Sequence, residues 1–175
     1  MKNRNVGSVE RQQMLIDAVL LRQYDAVLAL LEEGVFVDAR EAEHEETALM
    51  FASSAKNVDI TRLLLERGAS VNLQDNRGYS ALMHAITGRR IPNICLLIEN
   101  GADMKIRDND GETALLHSVA SGDIEVVKAL LNCLPNPFAH GEGEKALECA
   151  SSHGYSTSNL GYLGILDLLQ KSGAR

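Results

Sequence analysis

Three segments of this chain repeat one another at a fixed interval. Thr47-Ala-Leu-Met-Phe-Ala52 recurs as Ser80-Ala-Leu-Met-His-Ala85 and as Thr113-Ala-Leu-Leu-His-Ser118, 33 positions apart each time. A fourth copy, Lys145-Ala-Leu-Glu-Cys-Ala150, follows after 32 positions, and a degenerate one, Leu15-Ile-Asp-Ala18, precedes Leu49-Met-Phe-Ala52 by 34. A second landmark keeps the same period: Leu30-Leu-Glu-Glu-Gly34, Leu64-Leu-Glu-Arg-Gly68 and Leu97-Ile-Glu-Asn-Gly101. A module of this size cannot bury its apolar face alone, so copies must stack and share one elongated core.

Between the landmarks each unit reads as two short helices. In the fourth unit the first runs from about Thr113 to Ala120, and Gly122 breaks it. The second starts at Asp123, a good N-cap, and carries Ile124, Val126, Val127, Leu130 and Leu131 at helical spacing. Pro92 falls in the first turn of the second helix of unit three, where its missing N–H costs little. The landmark glycines stop the second helices by accepting a left-handed conformation. In the fourth copy, Leu130-Leu-Asn-Cys-Leu134, leucine replaces that glycine and Pro135 makes the stop. Gln74-Asp-Asn-Arg-Gly78 and Arg107-Asp-Asn-Asp-Gly111 are turn sequences that predict a protruding hairpin between units.

Gly68-Ala-Ser-Val-Asn-Leu-Gln-Asp75 and Gly101-Ala-Asp-Met-Lys-Ile-Arg-Asp108 resemble the ankyrin linker G-A-D-V-N-x-x-D, and the Thr-Ala-Leu copies resemble its T-P-L-H helix start. The resemblance covers roughly residues 12–175. It implies an all-α ankyrin-repeat solenoid of stacked helix-turn-helix units with protruding β-hairpin turns. The repeats fall at about 10–40, 45–74, 78–107, 111–140 and 143–175, in one domain. The departures are specific. The family's proline position holds Ala48, Ala81, Ala114 and Ala146, and its histidine position holds Met50, Met83, Leu116 and Glu148. The family's histidine hydrogen-bond ladder is therefore absent, and apolar packing replaces it. Tyr155-Ser-Thr-Ser-Asn-Leu-Gly161 is expected to insert a flexible loop of about seven residues between the helices of the last repeat.

The terminal repeats are expected to act as caps with polar outer faces. Glu10, Arg11, Gln12 and Gln13 would serve at one end and Asp167, Gln170 and Lys171 at the other. That pattern also suggests a complete protein. A formal net charge of −7 argues against electrostatic capture of nucleic acid or an anionic membrane. No apolar run reaches the length of a membrane span, and no signal peptide is visible. Cys95, Cys133 and Cys149 lack metal-ligand spacing and read as small buried hydrophobes of a reducing interior, the cytoplasm with the nucleus as a second compartment.

No nucleophile elbow, phosphate loop or zinc-protease motif is present, and a flat stack offers no deep pocket, so neither catalysis nor a cofactor is expected. Phe51, His84, His117 and Cys149 recur at one position and invite a metal reading. Stacked helices lie about 8–10 Å apart, whereas zinc must sit about 2.0–2.3 Å from every ligand. The row is read as partly exposed groove residues.

What the resemblance implies is a scaffold or adaptor, monomeric, that binds a partner protein on a concave face of hairpin tips and inner helices. The family's contact positions fall on Glu46, Ser54 and Ala55; on Asn76, Arg77, Tyr79, Thr87 and Gly88; and on Asn109, Asp110, Glu112, Ala120 and Ser121. Phe51, His84 and His117 face the same groove, and Tyr79 is the best anchor. Arg89 and Arg90 form a basic spot able to meet a carboxylate or phosphate, or glutamates of the same chain. The run Asp38-Ala-Arg-Glu-Ala-Glu-His-Glu-Glu46 holds five acids against one arginine. It should form the first hairpin, one residue longer than the others, either as a solvated turn or as an acidic finger for a basic partner. Asn72 should serve its own hairpin's hydrogen bonds. The alternatives are a small inhibitory subunit that blocks a partner enzyme, a host-interacting effector with chemistry around His153 to Asn159, and an oligomer-forming stack.

Overall fold

The computed structural model describes residues 4–133, 138, 143–154 and 160–174. Within them the chain forms ten helices: α1 (Arg4–Leu20), α2 (Tyr24–Glu32), α3 (Ala48–Ser54), α4 (Val58–Glu66), α5 (Ala81–Thr87), α6 (Ile91–Glu99), α7 (Ala114–Ala120), α8 (Ile124–Cys133), α9 (Gly143–Gly154) and α10 (Leu160–Lys171). Each odd-numbered helix packs on the next even one, and among the described residues the main contacts then run to neighbouring pairs, α1 on α3, α3 on α5, α5 on α7 and α7 on α9. This is the expected helical solenoid.

Local chemistry sets the boundaries. Thr47 and Ser80 cap α3 and α5 by accepting the N–H of Met50 and Met83. Met50 returns the bond through its sulfur, which accepts the Thr47 N–H at 3.3 Å. A methionine thus fills the place where the family carries its histidine, and Met50, Met83 and Leu116 are buried. Asn57 and Asp123 cap α4 and α8. Gly34, Gly68 and Gly101 end the outer helices at φ between 83° and 86°, a region closed to most side chains. The amide of the residue after each, Val35, Ala69 or Ala102, then bonds back to Leu30, Leu64 or Leu97 and satisfies a terminal carbonyl.

The core is one continuous row. Leu15, Leu49, Leu82 and Leu115 of the inner helices are no more than 1% exposed, and Ala52 and Ala85 between them let the helices approach closely. Each such leucine contributes about 1.5–3 kcal/mol through burial. Thr61 and Ser118, also buried, share this interior.

Several expectations need correction. Helix α1 begins at Arg4 and includes Glu10, Arg11, Gln12 and Gln13. The outer face of the first repeat is not uniformly polar: Met14, Leu20 and Leu21 are more than half exposed beside Glu10, Arg11 and Gln13. The cysteines are half-buried rather than buried. Burial, followed by the neighbouring Cys95, pushes the Cys133 thiol up to about 12. Leu160 and Gly161, expected in the inserted loop, belong to α10. Tyr155 to Asn159, and with them most of the proposed effector chemistry, lie outside the described residues, as does the Pro135 stop.

Candidate functional site

The hairpins are built on one acidic residue each. The Asp75 carboxylate accepts the N–H groups of Arg77 and Tyr79, and the Asp108 carboxylate those of Asp110 and Glu112. Each turn closes with an antiparallel bridge, Gln74 to Ser80 and Arg107 to Thr113. In the first hairpin Glu41 takes this role, accepting from His44 and Glu43. The bridge there joins Arg40 to Thr47, one residue further apart, and Glu45 absorbs the extra residue at φ 58°.

Neighbouring hairpins are tied together in register. The Asn76 amide donates to the His44 carbonyl and the Asn109 amide to that of Arg77. Their side chains repeat the pattern, Asn76 Nδ2 to Glu43 O and Asn109 Nδ2 to Asn76 O. Arg40 reaches Gln74 O, and Gln74 reaches Arg107 O. A second ladder joins the linkers. Ser70 donates to Asp38, while Asn72 donates to Gly101 O and accepts from Asp103 N. Asn72 therefore serves the next repeat's linker and not its own hairpin.

The two histidines have a partner that sequence reading did not assign. His84 Nε2 lies 3.1 Å from Asp75 Oδ2, and His117 Nε2 lies 2.7 Å from Asp108 Oδ2. The signal was present, since Asp75 to His84 and Asp108 to His117 are both nine residues apart. His84 is buried, which corrects its reading as a partly exposed groove residue; His117 is half-buried. Burial depresses the His84 pKa, opposed by the Glu46 and Asp75 carboxylates. Burial also pushes the Asp75 carboxyl up, but the Tyr79 N–H and the Arg77 guanidinium outweigh it and hold it below the usual range. Asp108 is lowered against burial in the same way, by the Glu112 N–H and His117.

Tyr79 is half-buried and wedged between the imidazoles, 6.0 Å from the His84 ring and 4.9 Å from the His117 ring, edge-on to both. The Arg77 guanidinium lies 4.8 Å above the Tyr79 ring centre and bridges Glu46 at 2.8 Å and Asp75 at 3.0 Å. Glu46, Asp75 and His84 place one ligand atom each within 4.8 Å of one another, as do Asp108, Glu112 and His117. Glu46, Arg77, Tyr79, His84, Asp110, Glu112 and His117 are thus gathered on the hairpin side, where Asn76 spends its side chain on the adjoining hairpin.

Other predicted contacts lie apart. Phe51 is half-buried and packs on the core. At the opposite edge Ser54, Thr87 and Ser121 turn their hydroxyls back onto Phe51, Met83 and Ser118. Ala120 is exposed there and offers its carbonyl to Tyr162. Arg90 donates to Ser54 O, and Arg89 stands 3.6 Å from Asp123. Arg89, Arg90 and Lys56 line a hollow of about 270 Å³ with Ala55, Pro92 and Asn93.

An open stack of helix pairs, edged by hairpins in register, defines a helical repeat protein. A family model described as ankyrin repeats (3 copies) matches residues 15–108 and 91–174, and the chain belongs to the ankyrin-repeat family. A bovine (Bos taurus) protein named "Ankyrin repeat, SAM and basic leucine zipper domain-containing protein 1" is 34% identical over 68 residues, covering 39% of this chain. The matched stretch is 14% of that protein's length. Ankyrin repeats are generally protein–protein interaction modules and typically not enzymes. No helix among the described residues is long and apolar enough to cross a membrane.

Proposed function

We propose that this protein is a scaffold or adaptor that binds a partner protein along the hairpin ridge. The observation that carries this reading is the hairpin-to-hairpin ladder. It fixes the backbone beneath Arg77, Asp110 and Glu112, so their exposed charges stand at set spacings before any partner arrives. Ordering such side chains in advance reduces what binding must immobilise. Other contacts assigned from the family pattern, Ser54, Ala55, Thr87, Gly88, Ala120 and Ser121, sit at the far ends of the inner helices and would bind only a partner broad enough to cross the stack. The protein is proposed to act as a monomer.

Hydrogen–deuterium exchange on a complex captured from native lysate tests the ridge. Protection is expected at residues 74–79 and 107–112. Protection confined to the outer helices α4, α6 and α8 would sink the assignment.

A further inference from the structure

The described residues contain two versions of one cradle, and among these residues a cation occupies only the first. In the third repeat the walls are Glu46 from the preceding hairpin with Asp75, Tyr79 and His84. In the fourth, 33 positions on, they are Tyr79 from the preceding hairpin with Asp108, Glu112 and His117. Each has one aspartate, one glutamate, one histidine and the shared Tyr79 ring. In both, the carboxylate and imidazole atoms lie within 4.8 Å of one another. In both, the aspartate holds the histidine and is held by two hairpin N–H groups.

The difference is the cation. Arg77 fills the first cradle, its guanidinium bridging Glu46 and Asp75 over the Tyr79 ring. The residue at its place in the second cradle is Asp110. Asp110 and Glu112 are exposed, and among the described residues no lysine or arginine pairs with them. The second cradle thus keeps the acceptors and the aromatic wall, gains a carboxylate, and lacks the group that the first one holds.

We infer that the fourth-repeat cradle takes an arginine side chain presented by the partner protein, an inference that rests on the ridge being the binding surface. Arg77 shows how the guest sits: one planar guanidinium spans two carboxylates while lying against the ring. A lysine ammonium, a point charge, cannot span them as a fork.

The test is a ¹H–¹⁵N titration with acetyl-Gly-Arg-Gly-amide and its citrulline counterpart, which keeps the shape and removes the charge. Wild type should show saturable shifts at residues 108–117 with the arginine peptide and none with citrulline. Asp110→Arg copies the third repeat's own solution, so it should fold normally, fill the cradle from within and weaken the peptide about tenfold, the scale of losing one charged contact. Arg77→Asp should open the first cradle and add a second set of shifts at residues 75–84. Equal response to citrulline, or unchanged binding in Asp110→Arg, overturns the inference. So does Zn²⁺ alone, if it saturates the same residues at micromolar concentration and displaces the peptide, because the cradle would then be a metal site. A ridge protected by its partner in exchange, yet silent to the arginine peptide, overturns the cradle alone; an unprotected ridge overturns the binding surface itself.

Discussion

The hairpin edge and the turn edge of the stack fasten adjacent repeats in different ways. At the hairpin edge the device repeats: the Asn76 and Asn109 amides, the Asn76 and Asn109 side chains, and the Arg40 and Gln74 side chains all reach backbone carbonyls one repeat away. At the turn edge each step is different. Asn93 donates to the carbonyls of Ala52, Ser53 and Ala55, with Arg90 on Ser54 beside it. The next step uses Arg89 and Asp123, and the last uses the Tyr162 hydroxyl on Ala120. A periodic edge spreads its load over many bonds to backbone, which leaves positions such as Arg77 and Asp110 free to differ. An edge with one or two fasteners per step concentrates the cost of losing one.

Asn93→Ala should be the most damaging of the single changes, because one buried amide serves three carbonyls. A loss of about 3 kcal/mol is expected, at the upper end of the cost of stranding buried acceptors, read from urea unfolding. A loss below about 0.5 kcal/mol would show that water replaces the amide. Gly88→Ala comes next. Its Cβ would stand 2.7 Å from the Ser54 carbonyl oxygen, a contact that neither helix can relax cheaply. About 2 kcal/mol of destabilisation follows. Tyr162→Phe removes the fastener of the last step while keeping the ring over Gly122, and should cost about 1 kcal/mol. Unfolding that begins at α9 and α10 in exchange measurements would mark the loss as local.

The hairpin edge answers to acid instead. His84 has a depressed pKa in the fold, so its contribution is present above the unfolded value of about 6.5 and is lost as pH falls through the folded one. The carboxyls of Asp75 and Asp108 are also lowered, and their contribution is lost below the usual carboxylate range near 4. The melting temperature should therefore fall in two stages on acidification. His84→Gln should flatten the first stage and leave the second, and a wild-type profile level from pH 7 to about 5 would contradict this. Smallest of all, Asn109→Ala should cost roughly 0.5 kcal/mol, since it removes one exposed rung of many. If it matched Asn93→Ala, the contrast between the edges would collapse.

The period, the helix pairs, the glycine stops, the Asp123 cap and the longer first hairpin were all legible, because each depends on residues close in sequence. The Asp–His pairs were legible only in principle. Nine residues separate the partners, and their meeting depends on the hairpin folding back over the inner helix. Asn72 shows the same limit. Its side chain can reach its own turn or the next linker, and only stacking decides which. The second partner of Arg77 could not be read from its own repeat either, because Glu46 arrives from the hairpin before it.

The position of Tyr79 gives the molecule a property of another kind. The chain has no tryptophan and four tyrosines, so ultraviolet emission comes from tyrosine alone. One of those rings is held between two imidazoles, within contact of both. A proton or a guest arriving on either side alters the surroundings of the same chromophore. The stack thus carries an intrinsic optical gauge at the junction of its third and fourth repeats, and needs no added label to be watched there.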